Sequence, residues 1–243
     1  RGNSLLVESG NTRILIDAGF GPRETLRRLA RLGMQPDDID AILVTHEHTD
    51  HVGGAFACAV RFGWTVTMTP GTHAACHGHA SGVGISLIDG HHPFALGDLS
   101  IQPFPVPHDA REPVQYVVGD GALRLGVLTD AGHVTPHMVA MLDQCDALVL
   151  ECNHDSAMLA NGNYPYPLKQ RIAGSQGHLD NSAAASLLAR IDGSRLRHVI
   201  AAHLSEQNNT PQLARTALCR ALNCDSGWIG VASQAAGFDW REV

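Results

Sequence analysis

The stretch THEHTDHVGG, Thr45 to Gly54, places His46, His48, Asp50 and His51 within six positions. His46 and His48 alternate by two, so both imidazoles can reach one ion from an extended or tightly turned loop. Asp50 and His51 follow at once and can reach a second. Imidazole nitrogen and carboxylate oxygen suit zinc, iron or manganese, and the lack of cysteine in the motif fits a hydrolytic metal site better than a structural one. The competing reading is a helix start capped by Asp50, with its histidines in solvent.

The elements that must position these residues favour the metal. Apolar strand-like runs end on a candidate ligand five times: RILIDAG at Asp17, AILVTH at His46, PFPVPH at His108, GVLTDAG at Asp130 and VIAAH at His203. Polar residues at the carboxyl ends of strands converge on one rim in α/β folds, and that rim is where such folds place their sites.

Strand and helix patterns alternate along the chain. NSLLVES and TRILIDAG read as strands joined by Gly10-Asn11, a hairpin signal. Residues 22–32 read as a helix between Pro22 and Gly33. TVTMT, GISLID, LSIQPFPVPH, VQYVVGD, LRLGVLTDAG, ALVLEC and HVIAAH read as further strands. Helices are expected over 52–62, 135–143, 154–160, 181–190 and 211–222, with a loop around Pro165 and Pro167. The simplest organisation is a single α/β domain with sheets inside and helices outside.

Composition narrows the classes. A net charge of −7 argues against a protein that coats nucleic acid non-specifically, although bound metal ions can supply positive charge locally. No apolar run reaches the roughly 18 residues that span a bilayer. The six cysteines form no CxxC pair and read as reduced thiols of a cytoplasmic protein. Fifteen histidines against seventeen Lys plus Arg suggest metal chemistry, whereas His77, His79, His91 and His92 read as solvated surface tracts. The chain opens at Arg1 inside a strand-like segment, so N-terminal residues are expected to be missing.

The ordered set Asp17, HxHxDH, His108, Asp130 and His203 resembles the metallo-β-lactamase superfamily. That resemblance implies a four-layer αββα sandwich over residues 1–243, with the ligands on loops at one edge. It implies two divalent metal ions, zinc or manganese with iron as a further option. His46, His48 and His108 would hold one ion, Asp50, His51 and His203 the other. Asp130 would bridge the two, and Asp17 would orient a ligand or the motif loop through a hydrogen bond. Members with a carboxylate at the bridging place cleave phosphodiesters, thioesters or lactones, while the β-lactam-cleaving members carry cysteine there. Cys152 comes later in the chain, outside that place, and reads as a buried apolar thiol.

RGNSLLVES, RILIDAG, DAILVTHEHTDHVGG, TDAGHVT, LECNHD, KQRIAGSQGHLDN and AAHLSEQNN resemble the YycJ (WalJ)-like subfamily, bacterial cytoplasmic hydrolases for which DNA exonuclease activity is implied. Asp180 stands where that subfamily usually has serine in GHLSN, and an aspartate can cap the following helix equally well. The resemblance implies a phosphodiesterase, most specifically a DNA exonuclease, with a metal-bridging hydroxide as nucleophile and Asp50 helping to orient it. No GxSxG nucleophile signature is present. His178, before a helix start, is the candidate proton donor, as a histidine in a comparable place is in the related ribonuclease Z group; the alternative is a satisfied structural histidine. Asn153, His154 and His133 are candidates to line the site, and Asn208 and Asn209 to fix the last ligand loop. Lys169 and Arg171 are candidate phosphate contacts, whereas Arg23, Arg27, Arg28 and Arg31 read as a solvated helix face. Two other readings stand beside this one. A hydrolase of the same fold could act on a small ester, thioester or lactone. A regulatory metal-binding protein with little turnover would not require so complete a ligand set.

Overall fold

In the hairpin formed by β1 (Leu5–Ser9) and β2 (Thr12–Ile16), Leu5 lies opposite Ile16 and Ser9 opposite Thr12. Its turn uses Gly10 at φ 56°, a left-handed conformation that glycine adopts without penalty. The computed structural model describes residues 2–76 and 82–243, so His77 and His79 lie outside the described residues. The chain divides into two compact units, Arg1–Pro105 with Ala110–Val114, and Val106–Asp109 with Gln115–Val243.

In the first unit β3 (Ala41–Leu43), β4 (Thr65–Met68) and β5 (Ile85–Leu87) extend the hairpin into a five-stranded sheet of order β1-β2-β3-β4-β5. The pairs from β2 onward are parallel. Such strands are covered on both faces, which is why AIL is a continuous apolar run and Thr67 of TVTM is buried along with Val66 and Met68. Helices α1 (Pro22–Arg31), α2 (Thr49–Val52), α3 (Ala55–Phe62) and α4 (Pro70–Ala75) belong to the same unit. Leu29 of α1 and Ala55, Phe56, Cys58 and Ala59 of α3 share one buried cluster with Ile42, Val44, Val66 and Met68. The single helix expected over 52–62 is two helices, broken at Gly53-Gly54. At the break the Gly54 N–H donates to the Ala18 carbonyl at 2.8 Å, and only glycine fits there, because a Cβ would come within 1.7 Å of the Phe20 carbonyl oxygen. A second hairpin, β6 (Phe94–Leu96) with β7 (Leu99–Pro105), completes the unit.

In the second unit β8 (Val114–Gly119), which enters it at Gln115, runs antiparallel to β9 (Arg124–Leu128). Three strands, β10 (Ala147–Glu151), β11 (His198–Ala202) and β12 (Ile229–Val231), follow β9 in that order, each parallel to the one before. The helices are α5 (Pro136–Leu142), α6 (Ser156–Asn161), α7 (Tyr166–Ile172), α8 (Asn181–Leu188) and α9 (Pro211–Leu222). Thr135, Asp155, Asp180 and Thr210 cap the starts of α5, α6, α8 and α9, each accepting a backbone N–H three residues on. Asp180 therefore does what its place in GHLDN predicts. The segment around Pro165 and Pro167, expected as a loop, forms α7. Both prolines sit at the helix start, where a missing N–H breaks no helical bond. No helix among the described residues is long and apolar enough to cross a membrane. All six cysteines are free thiols and five are buried.

Candidate metal centre

Three strand-end residues share an uncommon backbone state. Asp17 after β2, Asp130 after β9 and His203 after β11 have φ of 61°, 54° and 57°. Left-handed conformations are rare outside glycine and cost of order 1–3 kcal/mol, and they concentrate where function over-determines the backbone. At each of these ends the strand turns abruptly as the polar side chain begins the loop.

In the first unit Asp17 organises the histidine motif. Its carboxylate accepts from the backbone N–H of Thr45 at 2.8 Å, from the Thr45 hydroxyl at 2.9 Å and from Nδ1 of His51 at 2.7 Å. With Nδ1–H committed, Nε2 of His51 is the nitrogen placed to serve as a ligand. The Thr45 hydroxyl also lies 2.9 Å from Nδ1 of His46, which selects Nε2 of that ring in the same way. The His46 ring lies 4.6 Å from His48 and 4.2 Å from His51, centroid to centroid. Asn3 closes this group: its backbone N–H donates to the Asp50 carbonyl at 2.7 Å, and its amide nitrogen lies 3.1 Å from the Asp50 carboxylate and 2.9 Å from Nε2 of His51. The DAG turn is clasped to the motif. Ala18 N–H donates to the His51 carbonyl at 2.8 Å, and a Cβ at Gly19 would sit 1.9 Å from the Asp50 carbonyl oxygen.

In the second unit His108 donates from Nδ1 to the Gly177 carbonyl at 3.0 Å, again leaving Nε2 for a ligand role. Its ring centroid is 5.3 Å from that of His178. Asp130, Glu151, His178 and His203 offer donor atoms that all lie within 4.8 Å of one another. Nδ1 of His178 lies 2.9 Å from Asp130 Oδ1 and 2.8 Å from Glu151 Oε1; Nδ1 of His203 lies 3.2 and 3.3 Å from the same two oxygens. Burial pulls the His178 imidazole down, but hydrogen bonds to Asp130 and Glu151 and their charges outweigh it and hold the group at about 9. Burial pushes the Glu151 carboxyl up, yet hydrogen bonds from His178 and His203 win and hold it below its ordinary value.

These sets fit a divalent cation. Each unit presents imidazole nitrogens beside carboxylate oxygen, with no thiolate among them. Two carboxylates as buried as Asp130 and Glu151 also need positive charge nearby.

Other residues singled out from the sequence take supporting places. Asn153 and His154 are buried; the Asn153 amide donates to the His203 carbonyl at 3.2 Å, and His154 bridges to Asp180 through backbone. The Asn209 amide donates to the Cys152 carbonyl at 2.7 Å and to Asn181, so it fixes the segment after His203. His133 is exposed, with Nδ1 2.8 Å from the Ser175 carbonyl. Lys169 donates to the Ala160 carbonyl at 2.7 Å, and Arg171 pairs with Asp109 at 2.6 Å. Arg27 and Arg28 pair with Glu24 on the face of α1. Cys152 is fully buried, and burial pushes its thiol far up, as suits an inert side chain.

Two residues of the site escape a reading of the motifs. Glu151 ends the apolar run of β10, and the rule that picks out the other strand ends would have found it. Asn3 carries no such signal, because its partners are 47 and 48 positions away.

Asp17→Asn provides a local test. Asparagine tolerates a left-handed φ, so the backbone survives, but its amide turns a donor toward Thr45 and His51. Metal affinity is expected to fall about 10–100-fold in a chelator competition. Unchanged affinity would remove the orienting role of Asp17.

The family described as "Beta-lactamase superfamily domain" matches residues 12–203. Exodeoxyribonuclease WalJ of Streptococcus pneumoniae serotype 2 is 33% identical over 236 residues, covering 95% of this chain and 87% of that protein. Exodeoxyribonuclease YycJ of Bacillus anthracis is 32% identical over 237 residues, covering 95% and 89%. Among solved structures, the metallo-β-lactamase fold protein YhfI from Bacillus subtilis superposes with a TM-score of 0.76 at 15% identity, over 99% of this chain and 92% of that one. Its likeness shows the fold, the αββα sandwich class that the ordered ligands imply. The chain belongs to the β-lactamase superfamily, metallo-β-lactamase fold, and within it to the group of WalJ and YycJ.

Proposed function

We propose that this chain is a metal-dependent phosphodiesterase, specifically an exodeoxyribonuclease, built around two divalent ions. His46, His48 and His108 would hold one, Asp50, His51 and His203 the other, and Asp130 would contribute its carboxylate to both. Zinc or manganese suits these donors, with iron a further option. Two relatives named as exodeoxyribonucleases across nearly the whole chain support the substrate class. The six free thiols fit a reducing cytoplasm.

The observation that carries the reading is His178. Its Nδ1 is held by two carboxylates, at 2.9 and 2.8 Å, so the ring is fixed and the imidazolium is stabilised. That leaves Nε2–H to protonate the departing oxygen of a phosphodiester, a group that leaves poorly as an alkoxide. When bound, the ions acidify water and polarise the phosphoryl oxygen. Asp50, held by Asn3, orients the attacking side. Asn153 supports the His203 loop from below, and His154 the Asp180 cap of α8. Lys169 and Arg171 flank the approach of the strand, although each is tied to a protein oxygen.

Activity on bis-p-nitrophenyl phosphate and on a labelled DNA duplex tests the reading. Both activities are expected to vanish with EDTA and return with Mn²⁺ or Zn²⁺, and His178→Ala is expected to lose about 10²–10⁴-fold. No metal-dependent cleavage of either substrate, with turnover of small esters instead, would replace this function by ester hydrolysis. Full phosphodiesterase activity in His178→Ala would remove the proton donor.

A further inference from the structure

Helix α7 carries an exposed apolar stretch next to Lys169 and Arg171. Tyr166 is 70% exposed and Leu168 37% exposed, and Pro165 and Pro167 flank the tyrosine in solvent. Four consecutive apolar side chains, Pro165 to Leu168, are exposed at the start of this one helix, and a contiguous exposed patch, unlike a singly exposed side chain, marks an interaction surface. Two prolines fix the first turn of the helix, and the Gln170 amide donates to the Tyr166 hydroxyl at 2.8 Å. Lys169 ties α7 to the end of α6 through the Ala160 carbonyl, and Arg171 ties it to Asp109, beside His108. The carbonyl of Ile172, the last residue of α7, accepts the backbone N–H of His178 at 2.9 Å. Tyr166 thus stands about 9 Å along the helix axis, at 1.5 Å per residue, from the residue that holds the His178 backbone.

Charge chooses the occupant. From Ser156 to Gly177 the chain contains Lys169 and Arg171 and no acidic residue, in a protein of net charge −7. Arg171 keeps 61% of its side chain exposed while Asp109 holds its Nε. A local basic segment around an exposed aromatic ring is the combination that binds single-stranded nucleic acid, with phosphates on the cations and a base on the ring. A protein partner would find a small patch with one aromatic anchor.

We propose that α7 is a stacking platform for an unpaired nucleobase, with Tyr166 beneath the base and Lys169 and Arg171 beside its phosphates. The proposal rests on the exonuclease reading and deepens it: the strand end is held single-stranded as it approaches His178. The face of Tyr166 does the work, so its hydroxyl is dispensable.

The test uses a fluorescein-labelled phosphorothioate oligothymidylate and the metal-loaded protein, read by anisotropy. Tyr166→Ala is expected to raise Kd about tenfold to a hundredfold, the range of a lost base stack, and Tyr166→Phe to leave it within twofold. A wild-type protein offered an oligonucleotide with abasic sites should lose as much, and Tyr166→Ala should add nothing to that loss. Hydrolysis of bis-p-nitrophenyl phosphate, which has no nucleobase, should be the same in all three proteins. Equal affinity of wild type and Tyr166→Ala, or no binding of the oligonucleotide by wild type, overturns the platform. Absence of metal-dependent phosphodiester hydrolysis in the wild type overturns the function instead, and the anisotropy still reads the platform.

Discussion

Asp130→Asn is expected to lower kcat/KM on bis-p-nitrophenyl phosphate by at least about 10³-fold and to reduce the bound metal from two ions to one. The substitution is nearly isosteric. Asparagine also tolerates the φ of 54° that Asp130 adopts, so the strand end is preserved. What disappears is a buried negative charge whose Oδ1 lies 2.9 Å from His178 and 3.2 Å from His203. An amide oxygen cannot bridge two cations as a carboxylate can, and a lost ion forfeits several kcal/mol of charge stabilisation in the transition state. At 1.36 kcal/mol per decade, that is three decades or more. His178 also loses one of the two acceptors that fix its ring, which adds to the effect on the departing oxygen. Metal content by plasma emission, measured beside the kinetics, separates the two causes. Two ions retained with activity within tenfold of wild type would refute the bridging role.

The strand ends explain why so much of this site is legible in the amino-acid sequence. Asp17, His46, His108, Asp130 and His203 follow strands rich in apolar residues, and such a strand ending on a residue of metal-ligating type is visible in one dimension. The histidine motif is local, so its spacing survives in the sequence as well. Glu151 obeys the same rule at the end of β10 and is open to the same reading. Asn3 cannot be found that way, because it acts through a fold that carries the chain's start to Asp50 and His51. Among the elements, the long periodic helices and the hairpin at Gly10-Asn11 match their patterns. The departures are short or broken: β6 and β12 have three residues each, and α3 is separated from α2 by Gly54, whose need for close approach to Phe20 is a tertiary fact. In α7 the prolines suggest a loop, whereas at a helix start they are compatible with helix. The left-handed backbone at Asp17, Asp130 and His203 has only the weak signal that aspartate and histidine tolerate it better than most residues.

Glu151→Gln should separate a buried organiser from a ligand. The carboxylate is fully buried and meets four N–H groups. Oε2 accepts from Ala131 at 2.9 Å and Leu179 at 3.2 Å, while Oε1 faces Nδ1 of His178 at 2.8 Å and of His203 at 3.3 Å. An ionised carboxylate is acceptor-only and can serve all four; glutamine must turn an NH₂ toward one pair. Breaking one side of a buried charged pair costs about 3–5 kcal/mol, so a fall in Tm is expected, together with a loss of turnover as His178 and His203 lose their orientation. The pH dependence of the stability gap identifies the cause. The Glu151 carboxyl is held below its ordinary value, so its contribution is present above that value and lost as pH falls through the acid range. His178 is held up at about 9, so its contribution is full below its ordinary value and lost as pH rises through about 9. In EDTA-treated protein the Tm difference between wild type and Glu151→Gln should therefore be widest between the ordinary carboxyl value of 4.5 and the ordinary imidazole value of 6.5, and close toward both ends. A constant difference across pH would assign the cost to packing alone. An unchanged Tm at neutral pH would show that the carboxylate does not hold the two histidines. Glu151→Asp keeps the charge but shortens the reach, so it should recover the pH dependence more fully than the turnover.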